Sequence, residues 1–137
     1  LKKKVWSELK FGVLKVKKME NKEFSKKLEQ RTKAFAIRII RLSILLPNTV
    51  EGKIIRNQLT KAGTSIGANY REANRARSRA DFKSKIKICE SEANETCYWL
   101  EIIDELKWIE TNELESVLIE ANELLAIFTS IGKNLQL

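Results

Sequence analysis

Apolar residues recur three or four positions apart along almost the whole chain, and this spacing constrains the fold more than any other feature. An α-helix brings such positions onto one face, whereas a strand would need strict alternation. The 137 residues include one proline and five glycines. Because a β-sandwich needs many tight turns, so few turn residues argue against it. The sequence therefore predicts an all-α protein.

Four amphipathic segments of roughly 25 residues are separated by helix stop and start signals. Pro47 ends the first segment, because its ring disfavours helical geometry in the residue before it. The run from Asn48 to Glu51 offers a capping-box start for the second segment, and Ser78 and Asn112 can cap the third and the fourth. Short connections between four helices favour an antiparallel up-down four-helix bundle. The predicted core stripes are Phe24, Leu28, Phe35, Ile39, Leu42 and Leu46; Ile55, Leu59, Ala62, Ile66 and Ala73; Phe82, Ile86, Cys89, Ala93, Cys97, Leu100 and Ile103; and Leu114, Leu118, Ala121, Leu125 and Phe128.

The first eighteen residues are basic and precede the first long periodic segment. They lack the apolar stretch and the small-residue cleavage site of a signal peptide. They are either a basic N-terminal arm or translated sequence upstream of a start at Met19, and the second interpretation is favoured. We expect residues 1–18 to lie outside the fold and residues 19–137 to form one domain.

The chain contains no histidine, which excludes serine–histidine triads, cysteine–histidine pairs and the common zinc motifs. Two cysteines are too few for a disulfide framework and indicate a cytoplasmic protein, with both thiols in the core. No apolar run is long enough to cross a membrane, so no membrane partner is expected. The sequence predicts no catalytic residue, no metal site and no cofactor.

Charge is distributed unevenly around a net value of +8. Residues 1–80 hold 21 basic and 6 acidic residues, a net charge of +15, whereas residues 81–137 hold 5 and 12, a net charge of −7. This asymmetry indicates a half that binds polyanions, or two halves that attract each other within or between subunits.

The cations of the first half recur at helical spacing, and like charges four residues apart repel each other on a helix. If the second helix continues to about Arg77, Arg71, Arg75 and Arg79 form one ridge. Phosphates would supply the missing counter-charge, so we expect a nucleic-acid-binding face. The alternative is a solvated surface neutralised by acids of the second half, such as Glu90 and Glu101. The candidate phosphate-binding residues are Lys27, Arg31, Arg38, Arg41, Arg71, Arg75, Arg77, Arg79 and Lys83.

Gly63 and Gly67 lie four residues apart on one face of the second helix, where each costs about 1 kcal/mol relative to alanine. A close approach of another backbone offsets this cost more simply than a ligand does. Gly63, Gly67 and Ala73 are therefore predicted to be helix-packing residues, inside the bundle or at a subunit interface.

The third and fourth segments carry more large apolar residues than one stripe needs, which indicates a second buried face and an oligomer. Subunits in head-to-tail contact bring different surfaces together, so opposite charges can meet at every interface and the assembly can close into a ring. The additional residues are Tyr98, Trp99, Ile102, Trp108, Ile119, Leu124 and Ile127.

Three runs of sequence carry a resemblance to a known family. They are RTKAFAIRIIRLSILLP (Arg31–Pro47), GTSIGANYREANRARSRADFKSKI (Gly63–Ile86) and ETCYWLEII (Glu95–Ile103). Over about residues 23–135 the chain resembles the four-helix-bundle proteins encoded within 23S rRNA intervening sequences. That family is also similar to the accessory protein of diversity-generating retroelements, a basic barrel-like pentamer that engages a reverse transcriptase and nucleic acid. The resemblance implies a homopentameric, non-enzymatic bundle.

Three functions follow from these features. The first is a protein that binds the backbone of structured RNA or duplex nucleic acid. The second is an oligomeric scaffold that docks a protein partner, such as a reverse-transcriptase-like enzyme. The third is a nuclease, which would need carboxylates beside the basic face. Because the acids gather in the other half of the chain, we expect no enzyme.

Overall fold

The computed structural model describes the backbone of residues 2–110 and 112–135, and side chains from residue 21 onward within those ranges. It contains four helices, α1 (Lys2–Ser43), α2 (Val50–Ala73), α3 (Arg79–Glu105) and α4 (Asn112–Asn134), and no strand in the described residues. The all-α prediction is confirmed. The prediction for residues 1–18 concerns residues whose side chains lie outside the described part, and it remains a prediction.

Each helix packs against the helix that follows it in the chain, and α1 also contacts α4. Within the described residues, no Cα atom of α1 lies within 8 Å of one in α3, and none of α2 lies within 8 Å of one in α4, so these helices meet only through side chains in the core. One apolar core fills the space between the helices, and aromatic rings lie at its centre, where Tyr70 meets Phe128 edge to face with ring centroids 5.4 Å apart. None of the helical segments described is long and apolar enough to cross a membrane.

The predicted stripes of α2 and α3 supply much of the core, but those of α1 and α4 need correction. Phe24 is half exposed rather than buried. In α4, Val117 and Leu124 are fully buried, whereas Leu118 and Leu125, which were predicted to be buried, are only partly so. Both pairs fit helical spacing with the neighbouring core residues, so periodicity alone does not determine which of them faces the core.

Both predicted core thiols are buried, Cys89 completely. Burial in apolar surroundings disfavours the thiolate. It raises the pKa of Cys89 to about 12 and that of Cys97 to about 11. These side chains therefore act as small apolar residues of the core.

The connection between α1 and α2 is tightly folded and explains where α1 ends and α2 begins. Within the capping run predicted at residues 48–51, Thr49 is the N-cap of α2, and its hydroxyl accepts a hydrogen bond from the backbone N–H of Gly52 at 3.0 Å. A Cβ on Gly52 would lie 1.9 Å from the carbonyl oxygen of Pro47, so only glycine fits there. The Arg56 guanidinium donates to the carbonyl oxygens of Ser43 and Leu46, at 3.0 and 2.9 Å. The carbonyl of Ser43 also accepts from the N–H of Leu46 at 3.3 Å, so Arg56 adds a second donor to it and supplies one to the carbonyl of Leu46, where α1 ends.

The connection between α2 and α3 corrects a predicted boundary. Helix α2 ends at Ala73 with Asn74 as C-cap, and does not continue to Arg77. Ser78 is the N-cap of α3, as predicted, and accepts a hydrogen bond from the backbone N–H of Asp81 at 3.0 Å. Because Arg75 lies in the connection and Arg79 begins the next helix, the predicted arginine ridge on one helix does not form.

Helix α3 ends in a Schellman motif. The backbone N–H of Trp108 donates to the carbonyl oxygen of Ile103 at 3.4 Å, and the backbone N–H of Lys107 donates to the carbonyl oxygen of Asp104 at 3.1 Å. Lys107 adopts the left-handed conformation, with φ of 54°. Glycine is the usual residue at this position, because a Cβ is unfavourable there.

Candidate nucleic-acid interface

The nine predicted phosphate-binding cations do not form one surface. They separate into cations that join α1 to α4, cations in long contacts on the helix surfaces, and cations beside the two connections. Their surroundings differ in the number of carboxylates that already neutralise them, so the groups differ in how readily they would accept a phosphate.

Arg31 lies on α1 and binds two carboxylates of α4. Its Nε donates to Glu120 at 2.8 Å, and one terminal nitrogen, Nη2, donates to both Glu120 and Glu123. Hydrogen bonding from Arg31 lowers the pKa of Glu120, while burial of that carboxyl opposes the shift. The same contact with Glu120 raises the pKa of Arg31. A phosphate at Arg31 would therefore have to displace a paired carboxylate.

Arg38 forms a similar bridge two turns further along α1. Its Nε donates to Glu113 at 3.0 Å, and a terminal nitrogen donates to the hydroxyl of Ser116 at 2.7 Å. Arg31 and Arg38 thus tie the basic half of the chain to the acidic half within one molecule. The predicted neutralising acids were Glu90 and Glu101, but the acids that pair with these arginines all lie on α4.

Lys27 and Arg71 have weaker partners. Lys27 lies 3.7 Å from Glu23 one turn earlier on α1, and both side chains are largely exposed. Arg71 on α2 lies 3.7 Å from Glu29 on α1 and is about half exposed. Exposed pairs at this distance contribute little to stability, so both cations remain open to exchange.

Three arginines cluster at the connection between α2 and α3. Arg75 and Arg77 lie in that connection, Arg79 begins α3, and all three are exposed. Four residues of chain span at most about 14 Å, so the Cα atoms of the three arginines lie in one region of the surface, from which their exposed side chains extend. None of them makes an ion pair with any other residue whose side chain the structure describes. Lys83 follows one turn into α3 and is half-buried.

Arg41 lies apart from this cluster. It is exposed in the last turn of α1, next to the connection with α2. Helix α2 has 24 residues and spans about 36 Å between its two connections. Arg41 therefore lies at the far end of α2 from Arg75 and Arg77.

The predicted small residues lie between helices of one molecule. Gly63 and Ala73 are buried, and Gly67 is half-buried. A Cβ on Gly63 would lie 2.8 Å from both γ-carbons of Ile39, and one on Gly67 would lie 3.1 Å from the Thr32 hydroxyl oxygen. The glycines therefore let α2 approach α1 closely.

Exposed apolar side chains on α1 are the feature that sequence reasoning missed, whereas Tyr98 and Ile119, two of the additional residues predicted on α3 and α4, are indeed exposed. Leu124 was expected on a second face but lies in the core, and Trp99, Trp108 and Ile127 pack against that core. The outer face of α1 instead exposes a run of isoleucines. The sequence does place apolar residues on two sides of α1, but only the core stripe was predicted. The exposed isoleucines are Ile37, Ile40 and Ile44.

No group of three carboxylate or thiol side chains with metal-binding geometry occurs in the residues described. The fold and the surface together define a class: a small four-helix, all-α protein with a cluster of exposed arginines at one connection. The model of the 23S rRNA-intervening sequence protein family matches residues 16–130. The chain belongs to that family.

A solved structure is also similar to the chain. It is a protein of unknown function from the S23 ribosomal protein family of Bacteroides thetaiotaomicron VPI-5482, with 40% sequence identity and a TM-score of 0.71. The similarity covers 77% of this chain and 97% of that chain. No protein with curated annotation matches.

Proposed function

We propose that this protein is not an enzyme and binds nucleic acid through phosphate contacts at the connection between α2 and α3. The observation that carries the proposal is the exposure of Arg75, Arg77 and Arg79 without an ion pair among the described side chains. Crowded like charges repel each other, and phosphates would relieve that repulsion. Arg79 also lies at the N-terminus of α3, where the helix dipole disfavours a cation.

The chemistry of this cluster favours backbone recognition. Arginine side chains bind phosphate oxygens in a bidentate geometry, and such contacts position a protein without reading sequence. Recognition of splayed bases would need aromatic side chains for stacking, and none lies between Arg71 and Ala80. The family description refers to a 23S rRNA intervening sequence, so structured RNA and duplex are the first probes to test.

The experiment is a fluorescence anisotropy titration of a labelled RNA hairpin and a labelled duplex at several salt concentrations. Release of counterions from phosphates makes the logarithm of the affinity fall linearly with the logarithm of salt concentration. We expect binding at low salt that weakens steeply as salt rises. No binding at low salt, or an affinity that does not change with salt, would overturn the proposal.

A scaffold that docks a protein partner, such as a reverse-transcriptase-like enzyme, is the second candidate. The exposed isoleucines of α1 favour it, because apolar side chains contribute to protein contacts rather than to phosphate contacts. The discriminating experiment is a pull-down from lysate treated with nuclease. A stoichiometric protein partner that survives the treatment supports the scaffold, and loss of all partners supports nucleic-acid binding.

We further propose an antiparallel up-down bundle that assembles into a homopentameric ring. Two facing pairs support opposite directions for α1 and α4: Arg31 meets Glu120, and Arg38, later in α1, meets Glu113, earlier in α4. The ring of five rests on the family resemblance. In a ring, each subunit would repeat the arginine cluster, and avidity would strengthen a weak single contact. Light scattering on the nuclease-treated chain tests the ring, and a monomer or a simple dimer at micromolar concentration would overturn it.

A further inference from the structure

One apolar stripe lies on the outer face of α1. Ile37, Ile40 and Ile44 are spaced by three and four residues, so they share one side of the helix. That side points away from the core residues of α1, and the three side chains are 41%, 44% and 70% exposed. Lys33 and Arg41 lie one turn before and one turn after Ile37. Both are exposed and make no ion pair with the side chains described. We call these residues the α1 stripe.

A second apolar stripe lies on the outer face of α3. Tyr98, Ile102 and Leu106 are spaced by four residues, the first and third are 56% and 50% exposed, and Ile102 is half-buried. Glu101 and Glu105 flank this stripe, and both are exposed. We call these five residues the α3 stripe.

Two further charges lie near the α3 stripe. Lys107 directly follows it, and Glu95 precedes it with one carboxylate oxygen accepting a hydrogen bond from Nε1 of Trp99 at 3.2 Å. With these two included, the α3 stripe is surrounded by the carboxylates of Glu95, Glu101 and Glu105 and by one ammonium group, that of Lys107. The surroundings of the α3 stripe are therefore acidic. The two outer faces thus have similar apolar content and opposite charge.

The positions of the two stripes in the fold suit contact between neighbouring copies. In the described residues, no Cα atom of α1 lies within 8 Å of one in α3, so the two helices lie across the core from each other. Their outer faces point to opposite sides of the molecule. In the up-down arrangement, the stripes also end near the same end of the bundle, because α1 and α3 run in the same direction.

The charges identify the occupant of these faces. An anionic membrane or a nucleic acid would be attracted to the α1 stripe but repelled by the carboxylates that flank the α3 stripe. Contact between two α1 stripes would bring cations against cations. The α3 stripe of another copy offers apolar side chains together with the opposite charge.

We infer that the α1 stripe of one copy docks on the α3 stripe of the next copy. This inference rests on the assembly proposed above, and it identifies the interface on which that assembly depends. Such a head-to-tail contact leaves one unpaired stripe of each kind on every dimer, so it propagates until a ring closes. The arginine clusters, beside the other end of α2, remain free in each copy.

The test uses two variants of the full chain, each with one stripe blocked. Ile40→Asp/Ile44→Asp blocks the α1 stripe, and Tyr98→Asp/Leu106→Asp blocks the α3 stripe. All four side chains are at least two-fifths exposed, and circular dichroism verifies that each variant is folded. Light scattering is measured for the wild-type chain, for each variant alone and for their equimolar mixture, at micromolar concentration after nuclease treatment.

We expect the wild-type chain to assemble and each variant alone to have the mass of one chain. The mixture should have the mass of two chains, because one intact stripe of each kind remains available for a single contact. Ile119→Asp on α4 is the matched control, since Ile119 is 55% exposed and lies outside both stripes. It should assemble like the wild type.

The outcomes separate the interface from the assembly. If the wild-type chain assembles and either stripe variant does so equally, the interface is wrong while the assembly stands. If both variants are monomers but their mixture is also a monomer, the head-to-tail pairing is wrong. If the wild-type chain is a monomer, both the interface and the assembly are overturned. None of these results changes the test of nucleic-acid binding.

Discussion

Gly63 shows how a single missing side chain allows two helices to approach. The two γ-carbons of Ile39 lie 2.8 Å from the position that a Cβ would occupy, closer than ordinary van der Waals contact. Two glycines four residues apart were enough to predict close packing. The partner helix was not predictable, because spacing on α2 says nothing about which helix lies opposite.

Replacing this glycine should therefore destabilise the fold. Gly63→Ala forces Ile39 or the backbone to shift, and overpacking of this kind costs about 1–3 kcal/mol, which exceeds the gain in helix propensity. Gly132→Ala in α4 is the matched control, because its nearest atom would be Glu90 Oε2 at 3.6 Å. It should be neutral or stabilise by up to about 1 kcal/mol. Urea unfolding measures both changes, and a Gly63→Ala protein as stable as the wild type would contradict the close approach.

The ion pair between Arg31 and Glu120 makes the stability of the fold depend on pH. Hydrogen bonding from Arg31 lowers the pKa of Glu120 in the folded protein. A lowered folded-state pKa stabilises the fold above the unfolded-state pKa, and this contribution is lost as pH falls through the folded-state value. Stability should therefore decrease on acidification below the ordinary glutamate range. Glu120→Gln should lower the free energy of unfolding at neutral pH by about 1–2 kcal/mol and flatten this acid limb.

The matched variant is Glu123→Gln, which removes a more exposed carboxylate bound to the same guanidinium. It should cost less than about 1 kcal/mol, because exposed pairs contribute little. Urea unfolding from neutral to acidic pH measures both variants. Equal losses at neutral pH, or a wild-type and a Glu120→Gln protein that still differ at the acidic limit, would contradict the assignment.

At the scale of elements, the sequence predicted four helices and two of their caps, because capping and breaking depend on a few neighbouring residues. Ser78 was identified in this way, and the N-cap Thr49 lies within the capping run predicted at residues 48–51. Two features were not predictable. The core face of α4 depends on which of two equally periodic pairs faces α3 and α1. The end of α2 at Ala73 depends on the Asn74 cap, which the apolar pattern does not mark.

The Schellman motif that ends α3 gives a prediction at this scale. Lys107 holds a left-handed conformation that costs a residue with a Cβ about 1 kcal/mol or more. Lys107→Gly should therefore stabilise the protein by about 1 kcal/mol. The control is Lys53→Gly inside α2, which should destabilise by a similar amount, because glycine is a poor helix former. Thermal unfolding of both variants measures the opposite signs, and a shift in the same direction would contradict the motif.

At the scale of the whole molecule, the opposite charges of the two halves have two different roles. Part of the basic half pairs with α4 inside the molecule, through Arg31 and Arg38. Another part is exposed at the α2–α3 connection. The charge asymmetry was readable from the sequence, but this division was not, because it depends on which helix faces meet. Nine candidate cations therefore reduce to a smaller cluster that carries the functional proposal.

The most direct measurement compares the salt dependence of binding for two variants that remove the same charge. Arg75→Gln/Arg77→Gln removes two cations of the cluster, and Lys53→Gln/Lys61→Gln removes two exposed cations of α2 outside it. Each phosphate contact contributes about 0.9 to the slope of log affinity against log salt for a duplex. We predict that the arginine variant binds a labelled duplex more weakly, with a slope flatter by about 2, and that the lysine variant keeps the wild-type slope. Equal slopes for the two variants would show that binding follows net charge alone and would contradict the account.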